Sequence, residues 1–261
     1  MKGALNLGNT CYFNSAIQCL LQVPVFSNHF ILKGYHGDCE LTRELSRVTK
    51  NMWTDKTSNK INFQKLLKLF QNNCSQFRNF FQHDVQEAFI CILEIVEKSL
   101  PHLVKENFYM KVKKEVSFPG GKSETFEEML VNFLYPKPEH ETIKDIIDDM
   151  YKWSTIRDYE DDHGNKHMIA GTRTIFETFP KVLVFSLGYK HFMTLTETLE
   201  LQGVTYRLIS TAVHMGNNHR GHYVSFGKHK GKWYLKDDDV ITEHEIPLKA
   251  AHYLILYYQT H

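Results

Sequence analysis

The chain has 261 residues, of which 42% are hydrophobic and 23% charged, and its 31 basic and 30 acidic residues give a formal net charge of +1. These values predict a globular chain with a sizeable core and argue against disorder. The charge balance argues against a nucleic-acid partner, and the sequence has no apolar run of the roughly 20 residues that a membrane span needs.

The first hundred residues carry helical patterns. Asn9 and Thr10 are suited to cap a helix that runs from about Cys11 into Leu21. Apolar residues at helical spacing then form three further stripes, the second of them after Asn62 as a candidate cap. These stripes are Leu41, Leu45, Val48 and Met52; Phe63, Leu66, Leu67 and Phe70; and Val85, Phe89, Ile92, Leu93 and Val96.

After Pro101 the apolar period shifts to two. Phe108, Met110, Val112 and Val116 predict a half-buried strand that ends at residues 120–121. Two short helical patterns follow near 124–134 and 142–149, and a hairpin is expected around 162–165. Further strands are predicted at 182–187, 206–214, 222–227, 232–235 and 252–258. Helices first and strands later predict an α+β fold, with no clear linker.

The five cysteines lie at positions 11, 19, 39, 74 and 91, an odd number with no C-x-x-C pair. This pattern favours free thiols in a reducing compartment over a disulfide framework, so cytoplasm and nucleus both remain open. The N-terminal residues lack the apolar region of a secretory signal.

Cys11 is the candidate nucleophile, because it opens a predicted helix. A helix N-terminus favours the thiolate, the reactive form, and Gly8 permits a tight turn before it. Taken alone, a cysteine is more often a small buried apolar residue. The other four cysteines are interpreted in that way.

A cysteine nucleophile needs a base. His214, His219 and His222 are close in sequence, and His222 stands out because Gly221 beside it would let a substrate backbone approach closely. Asp237, fifteen residues after His222, follows the next predicted strand, so an antiparallel strand pair would bring the two side by side. The residues alone do not choose firmly among the three histidines, and an Asp triplet at 237–239 is usually a solvated turn.

The residues that carry chemistry also resemble the boxes of the ubiquitin-specific protease family. Residues 3–15, GALNLGNTCYFNS, resemble its cysteine box, and residues 82–87, QHDVQE, its intermediate box. Segments 206–216, 221–223, 233–234 and 237–238 resemble its histidine box, and residues 251–258 its final strand. The resemblance covers residues 3 to 258, with the boxes in the family's order.

The resemblance implies a papain-like hand in one catalytic domain, residues 1–261. About 1–105 would form a helical thumb, and about 106–261 would form an interleaved β-sheet palm and β fingers. It implies Cys11 as nucleophile, His222 as base and Asp237 as the residue that orients it. It also implies Asn6 as oxyanion donor, with support from Asp238.

The same resemblance implies ubiquitin and ubiquitinated proteins as partners, whereas the charge balance and the lack of a long apolar run indicate no nucleic-acid partner and no membrane. It implies that Asp84 and Glu87 contact the basic tail of ubiquitin, and that Gln82 and Tyr223 belong to the same binding region. Tyr223 would line the narrow channel for that tail. Asp84 and Glu87 also suit a helix N-terminus electrostatically, which is the alternative interpretation of both.

Several positions depart from the family's pattern. Many members carry two C-x-x-C pairs that bind zinc in the fingers, and this chain has none, so we expect neither a metal site nor a cofactor. His163 and His167 are spaced like ligands but lack thiolate partners, and are interpreted as turn residues. Residues 187–190 (LGYK) replace a usual Leu-Lys-Arg-Phe, and Ala88 and Lys236 stand where aromatic residues are common.

The resulting hypothesis is thiol-dependent hydrolysis of the bond after the C-terminal glycine of ubiquitin. Two alternatives remain. The same fold could act on another ubiquitin-like modifier, or the chain could be an inactive ubiquitin-binding module. The complete set of candidate catalytic residues argues against the second alternative.

Overall fold

The computed structural model describes residues 1–79, 81–187, 192–216 and 221–260. His219 and the stretch 188–190 therefore lie outside the described residues. Within the described part of the chain, six of the seven α-helices lie before residue 110, and 13 of the 15 strands start at or after it, in line with the α+β prediction. The helices are α1 (Cys11–Leu20), α2 (Pro24–Leu32), α3 (Glu40–Thr54), α4 (Gln64–Asn73), α5 (Val85–Ser99), α6 (Pro101–Phe108), α7 (Ile143–Met150) and a 3₁₀ turn at Ser75–Phe77.

The helices form where the apolar stripes predict them. Leu41, Leu45, Val48 and Met52 lie along one face of α3 and are all buried. Burying such a side chain contributes about 1.5–3 kcal/mol, which outweighs the weak helix propensity of any one residue. The stripes of α4 and α5 are buried in the same way, and Asn62 Oδ1 accepts a hydrogen bond from the N–H of Gln64 at the start of α4.

The strands form three sheets among the described residues. Their bounds are β1 (Gly3–Ala4), β2 (Lys60–Ile61), β3 (Met110–Phe118), β4 (Gly121–Met129), β5 (Asn132–Leu134), β6 (Ser154–Glu160), β7 (Lys166–Phe176), β8 (Val182–Leu187), β9 (Phe192–Thr194), β10 (Thr198–Leu201), β11 (Val204–Gly216), β12 (Gly221–His229), β13 (Lys232–Asp237), β14 (Val240–Glu243) and β15 (Lys249–Gln259).

The largest sheet runs in the order β14-β13-β12-β11-β15-β8-β5, with β10 paired to β11 and β9 to β15. A second sheet has the order β4-β3-β7-β6, and β1 and β2 form a short parallel pair. The hairpin predicted around 162–165 joins β6 to β7.

The central strands β8 and β15 of the large sheet are buried on both faces. In β8, Val182 and Val184 pack into the core beneath the helices, whereas Leu183 and Phe185 pack into a second core with α7. β15 alternates in the same way. Because successive side chains of a strand point to opposite faces, these strands are apolar throughout rather than at alternate positions.

Two predicted elements are wrong. The helical pattern at 124–134 is strand in the structure, since it spans most of β4 and all of β5. Pairing along β3 fixes β4, and both faces of β4 are largely exposed, so no period of two marks it in the sequence. Phe108 ends α6, which the sequence analysis missed, and the strand starts at Met110.

One finding concerns membranes. Within the described residues no single helix has the length and apolar composition to cross a bilayer, although α1 and α2 pass that test when joined across their 81° bend.

Candidate active site

Cys11 is the first residue of α1 and is buried. The chain reaches it through a tight turn, in which φ is 95° at Gly8 and 49° at Asn9. Thr10 occupies the cap position but makes no side-chain bond to the helix, so its predicted role as a side-chain cap is wrong. Its hydroxyl instead accepts a hydrogen bond from the N–H of Leu7 at 3.0 Å, which holds the turn together.

The electrostatics of the thiol differ from the sequence-based expectation. Burial raises the pKa of Cys11, and the nearby charge of Asp238 raises it further. Hydrogen bonds from the backbone N–H groups of Tyr223 and Tyr12 partly offset this rise. The helix N-terminus alone therefore does not yield a thiolate, and the thiol needs a base.

His222 lies near the start of β12, and Asp237 ends the neighbouring strand β13. The two strands are antiparallel, and His222 Nε2 lies 2.6 Å from Asp237 Oδ1, as the sequence analysis expected of the pair. Asp238 Oδ2 is a second carboxylate oxygen, 3.9 Å from the same nitrogen. Because Nε2 faces Asp237, Nδ1 is the ring nitrogen left to accept a proton from a thiol.

Cys11 and His222 belong to adjoining elements. The thiol lies against the backbone N–H of Tyr223, the residue that follows His222. Among the hydrogen bonds of the described residues, however, none joins the thiol to the imidazole. Catalytic hydrogen bonds are often long before substrate binds, so this geometry does not exclude the pair.

Asp238 connects the two ends of the sequence. Its Oδ2 accepts a hydrogen bond from Asn6 Nδ2 at 2.7 Å, and its Oδ1 accepts one from Asn14 Nδ2 at 2.8 Å. Asn6 Oδ1 in turn accepts from the N–H of Gly8 at 2.9 Å. The Asn6 amide is thus held at both ends, and one hydrogen of its Nδ2 remains available to a substrate oxygen.

Asn14 has a role in the site that the sequence analysis did not identify. It lies on the buried side of α1, one turn after Cys11, and it fixes the Asp238 carboxylate from the side opposite Asn6. Asp238 has φ of 46°, a conformation that Asn and Asp tolerate better than most residues. Asn14 was within the cysteine box, but no local pattern indicates a partner that follows it by 224 residues.

A pocket of about 270 Å³ lies beside this site. Gln82, Asp84, Glu87 and Tyr223, the predicted binding residues, all line it. The remaining lining residues are His83, His214 and Tyr253. His83 was not singled out from the sequence, and its ring packs against Tyr12 and Phe77.

Hydrogen bonds cross this pocket from the segment before α5 to the large sheet. Gln82 Nε2 donates to the carbonyl of Gly221 at 2.5 Å, and the Tyr223 hydroxyl donates to Asp84 Oδ1 at 3.1 Å. Asp84 precedes α5 but makes no side-chain cap bond to it, which weakens the alternative interpretation of this carboxylate as a helix cap. Burial, together with the Asp84 charge, raises the pKa of Tyr223, so its hydroxyl remains a donor.

His214 does not stand beside Asp237. It lies opposite Tyr223 on β11, and its ring packs against the rings of Tyr223 and Tyr253. A β-carbon at position 221 would come within 1.9 Å of His214 Nε2. The absence of a side chain at Gly221 therefore leaves room for the His214 ring.

One group in the described chain has the spacing of a metal site. Ligand atoms of His222, Asp237 and Asp238 all lie within 4.8 Å of one another. These are the atoms of the candidate base and its carboxylate partners, so an ion there would compete with proton transfer.

The chain is similar in sequence to known proteins of one family. The family model described as ubiquitin carboxyl-terminal hydrolase matches residues 2–258. Ubiquitin carboxyl-terminal hydrolase 7 of Drosophila melanogaster is 27% identical over 92% of this chain, and ubiquitin carboxyl-terminal hydrolase 36 of Drosophila sechellia is 21% identical over 92%. The alignments cover 24% and 25% of those relatives, so the chain spans about a quarter of their length.

Solved structures with the same fold include a chain of the SAGA DUB module with Ubp8, Sgf11, Sus1 and Sgf73 bound to monoubiquitin. It superposes with a TM-score of 0.86 at 19% identity, covering 100% of this chain and 69% of that one. The same module bound to ubiquitin aldehyde gives a TM-score of 0.85 at 19% identity, covering 100% and 70%. The predicted hand-like α+β fold is thereby confirmed.

Proposed function

Because the chain belongs to the ubiquitin carboxyl-terminal hydrolase family, we propose that it hydrolyses the bond after the C-terminal glycine of ubiquitin. The observation that carries this proposal is the 2.6 Å contact between His222 Nε2 and Asp237 Oδ1, beside the helix that Cys11 opens. A base held by a carboxylate next to a buried thiol is the arrangement that thiol-dependent acyl transfer requires.

In the proposed reaction, His222 Nδ1 accepts the proton of Cys11, and the thiolate attacks the carbonyl carbon of the terminal glycine. His222 then protonates the leaving lysine amine, and a thioester remains. Water, activated by His222, hydrolyses the thioester and releases Cys11. Asn6 Nδ2 donates to the oxyanion in both halves, and Asp237 keeps the imidazole oriented.

The pocket lined by Asp84 and Glu87 is the proposed channel for the tail of ubiquitin. The tail, Leu-Arg-Leu-Arg-Gly-Gly, is basic and ends in two residues without bulky side chains. The two carboxylates suit its arginines. Gln82 and Tyr223, which cross the pocket, would narrow the channel around the glycines.

We extend the proposal to the organisation and location of the chain. Residues 1–105 would be the thumb that carries Cys11, and residues 106–261 would form the palm and fingers around ubiquitin. Cytoplasm or nucleus is the proposed location, because all five cysteines are free in the structure and ubiquitin conjugates are intracellular.

The test is labelling with ubiquitin that carries a C-terminal electrophile, followed by mass mapping of the modified residue. We expect one adduct at Cys11, none in Cys11→Ala, and an unchanged adduct in Cys19→Ala, the matched control for a buried thiol of the same helix. Probes built on other ubiquitin-like modifiers run in parallel. Preferential labelling by one of those would support the alternative substrate, and ubiquitin binding without labelling would indicate an inactive module.

A further inference from the structure

Two cysteines outside the candidate active site, Cys74 and Cys91, are neighbours in the structure. Cys74 follows the last residue of α4, and Cys91 lies in the second turn of α5. The two thiols are close enough for each to shift the pKa of the other. Gln76 Nε2 also donates to Cys91 Sγ at 3.4 Å, so the chain just after Cys74 is held against Cys91 as well.

The pair is accessible on one side. Cys74 is 9% exposed, whereas Cys91 is half-buried at the surface of α5. The other cysteines are arranged differently: Cys19 hydrogen-bonds to Ser210, and Cys39 Sγ accepts from Thr42. A small oxidant can therefore reach the Cys74–Cys91 pair from the Cys91 side.

The segment between the two cysteines leads to the proposed tail channel. Phe77 is fully buried, and its ring packs against His83 at 4.8 Å and Tyr12 at 5.8 Å. Gln82 and Asp84 then make the two hydrogen bonds that cross the channel. A covalent bond between Cys74 and Cys91 would therefore link the two ends of the chain segment that carries Gln82 and Asp84.

We propose that Cys74 and Cys91 form a reversible disulfide that ties residues 75–79 and 81–84 to α5. With a peroxide as oxidant, the Cys74 thiolate attacks one peroxide oxygen, the O–O bond breaks, and Cys74 becomes a sulfenic acid. The Cys91 sulfur then attacks the Cys74 sulfur and displaces the hydroxyl as water. The sum is two thiols and one hydrogen peroxide giving one disulfide and two waters, and an external dithiol reverses it.

The surroundings indicate which sulfur reacts first. Burial raises the pKa of both thiols, to about 12 for Cys91, which also faces the Cys74 sulfur and the charges of Glu94 and Glu87. Cys91 and the charge of Lys98 both lower the pKa of Cys74, whereas the charge of Glu94 raises it. Cys74 is thus the first thiolate, and formation of the disulfide should accelerate as pH rises.

The test uses the 261-residue chain with the Cys11→Ala change, so that oxidation of the proposed nucleophile does not contribute. The folded protein is treated with hydrogen peroxide, alkylated, digested and analysed by mass spectrometry. We expect a cross-linked peptide pair that contains Cys74 and Cys91 and disappears with dithiothreitol. An added Cys91→Ser change should abolish it, whereas Cys39→Ser, the control for a half-buried thiol, should leave it. Cross-links that form only in urea, or separate oxidation of the two residues, would overturn the proposal.

The effect on the segment is measured separately. The disulfide should slow amide hydrogen exchange in residues 75–79 and 81–84, and unchanged exchange there would overturn the tether. The consequence for ubiquitin rests on the proposed function: a tied segment opens less readily, so ubiquitin should associate several-fold more slowly with the oxidised protein than with the reduced one. If neither form binds ubiquitin, the proposed function fails while the disulfide, read by mass, still stands.

Discussion

Asn6 Nδ2 donates a 2.7 Å hydrogen bond to Asp238 Oδ2, across 232 residues of sequence. The bond aims the Asn6 amide, because the other Asp238 oxygen is held by Asn14 and the carboxylate cannot rotate freely. In the proposed reaction this fixed amide donates a hydrogen bond to the substrate oxygen on which negative charge develops. Preorganised donors of this kind need no reorientation in the transition state.

Removing the Asn6 amide should therefore slow the chemistry more than binding. We expect Asn6→Ala to lower kcat by about 10²–10³ with little change in KM, measured on a fluorogenic ubiquitin substrate. If Asp238 acts through Asn6, Asp238→Ala should cause part of the same loss, and the double variant should lose less than the two effects combined. An unchanged kcat in Asn6→Ala would move the oxyanion role to backbone N–H groups.

His222 and Asp237 should not contribute equally. His222→Ala removes the proposed base and should lower kcat by about 10²–10⁴-fold. Asp237→Ala removes only the orienting carboxylate, and Asp238, 3.9 Å from His222 Nε2, can partly replace it, so its loss should be smaller. His214→Ala is the matched histidine control. Equal loss in His214→Ala, with the fold intact by circular dichroism, would contradict the assignment of the base.

Asp84 should act on substrate affinity. A desolvated carboxylate–arginine pair that loses one partner costs about 2–5 kcal/mol, so Asp84→Ala should raise KM strongly while the fold survives. Replacing the arginine of the ubiquitin tail that it meets should then cost the variant little more. Tyr223→Phe is the control that removes only the hydroxyl donor to Asp84. If wild type and Asp84→Ala respond equally to the arginine change, the two groups are not coupled.

Lys236 should make stability depend on pH. It is buried beneath α1, its Nζ donates to the carbonyl of Gln18 at 3.3 Å, and burial lowers its pKa to about 7. Between that value and the ordinary lysine pKa of about 10.4, the unfolded chain binds a proton that the folded chain does not. The free energy of unfolding should therefore rise with pH over this window. Below about pH 7 both states bind the proton, so the contribution of Lys236 to this free energy should no longer change with pH.

The matched variant is Lys236→Met, which keeps an unbranched side chain without the charge. We expect it to be more stable than wild type near pH 7, because no buried ammonium is formed, and to lose most of the rise at higher pH. Urea unfolding followed by circular dichroism at pH 7 and pH 9.5 measures both effects. Parallel pH profiles for the two proteins would show that Lys236 does not titrate as proposed.

The sequence predicted the elements that bury a regular apolar stripe. The stripes of α3, α4 and α5 and the strand at 182–187 need only local spacing to be recognised. The stretch 124–134 was misassigned because its strands are set by pairing with β3 and β8, which no local pattern records. Phe108 fitted the period of the following strand, yet it closes the short helix that begins at Pro101.

The site residues could be predicted where they lie in short sequence motifs. Spacing alone paired His222 with Asp237, but it did not choose among three histidines, and that choice came from the family resemblance. The predicted position of Cys11 at a helix N-terminus did not reveal how deeply its thiol is buried. Asn14 was missed because its partner is brought to it only by the tertiary fold.

The contact between β1 and the turn after β13 joins two parts of the chain that are synthesised at different times. Gly3 and Ala4 lie beside the turn at Asp238 and Asp239, where the N–H of Ala4 donates to the carbonyl of Asp238 at 2.7 Å. Cys11 therefore leaves the ribosome long before the carboxylates that complete its surroundings. A nascent chain carries the thiol without His222 and Asp237, so the proposed hydrolysis can begin only after those residues have been made. The onset of activity would thus report that the whole sheet has closed onto the first helix.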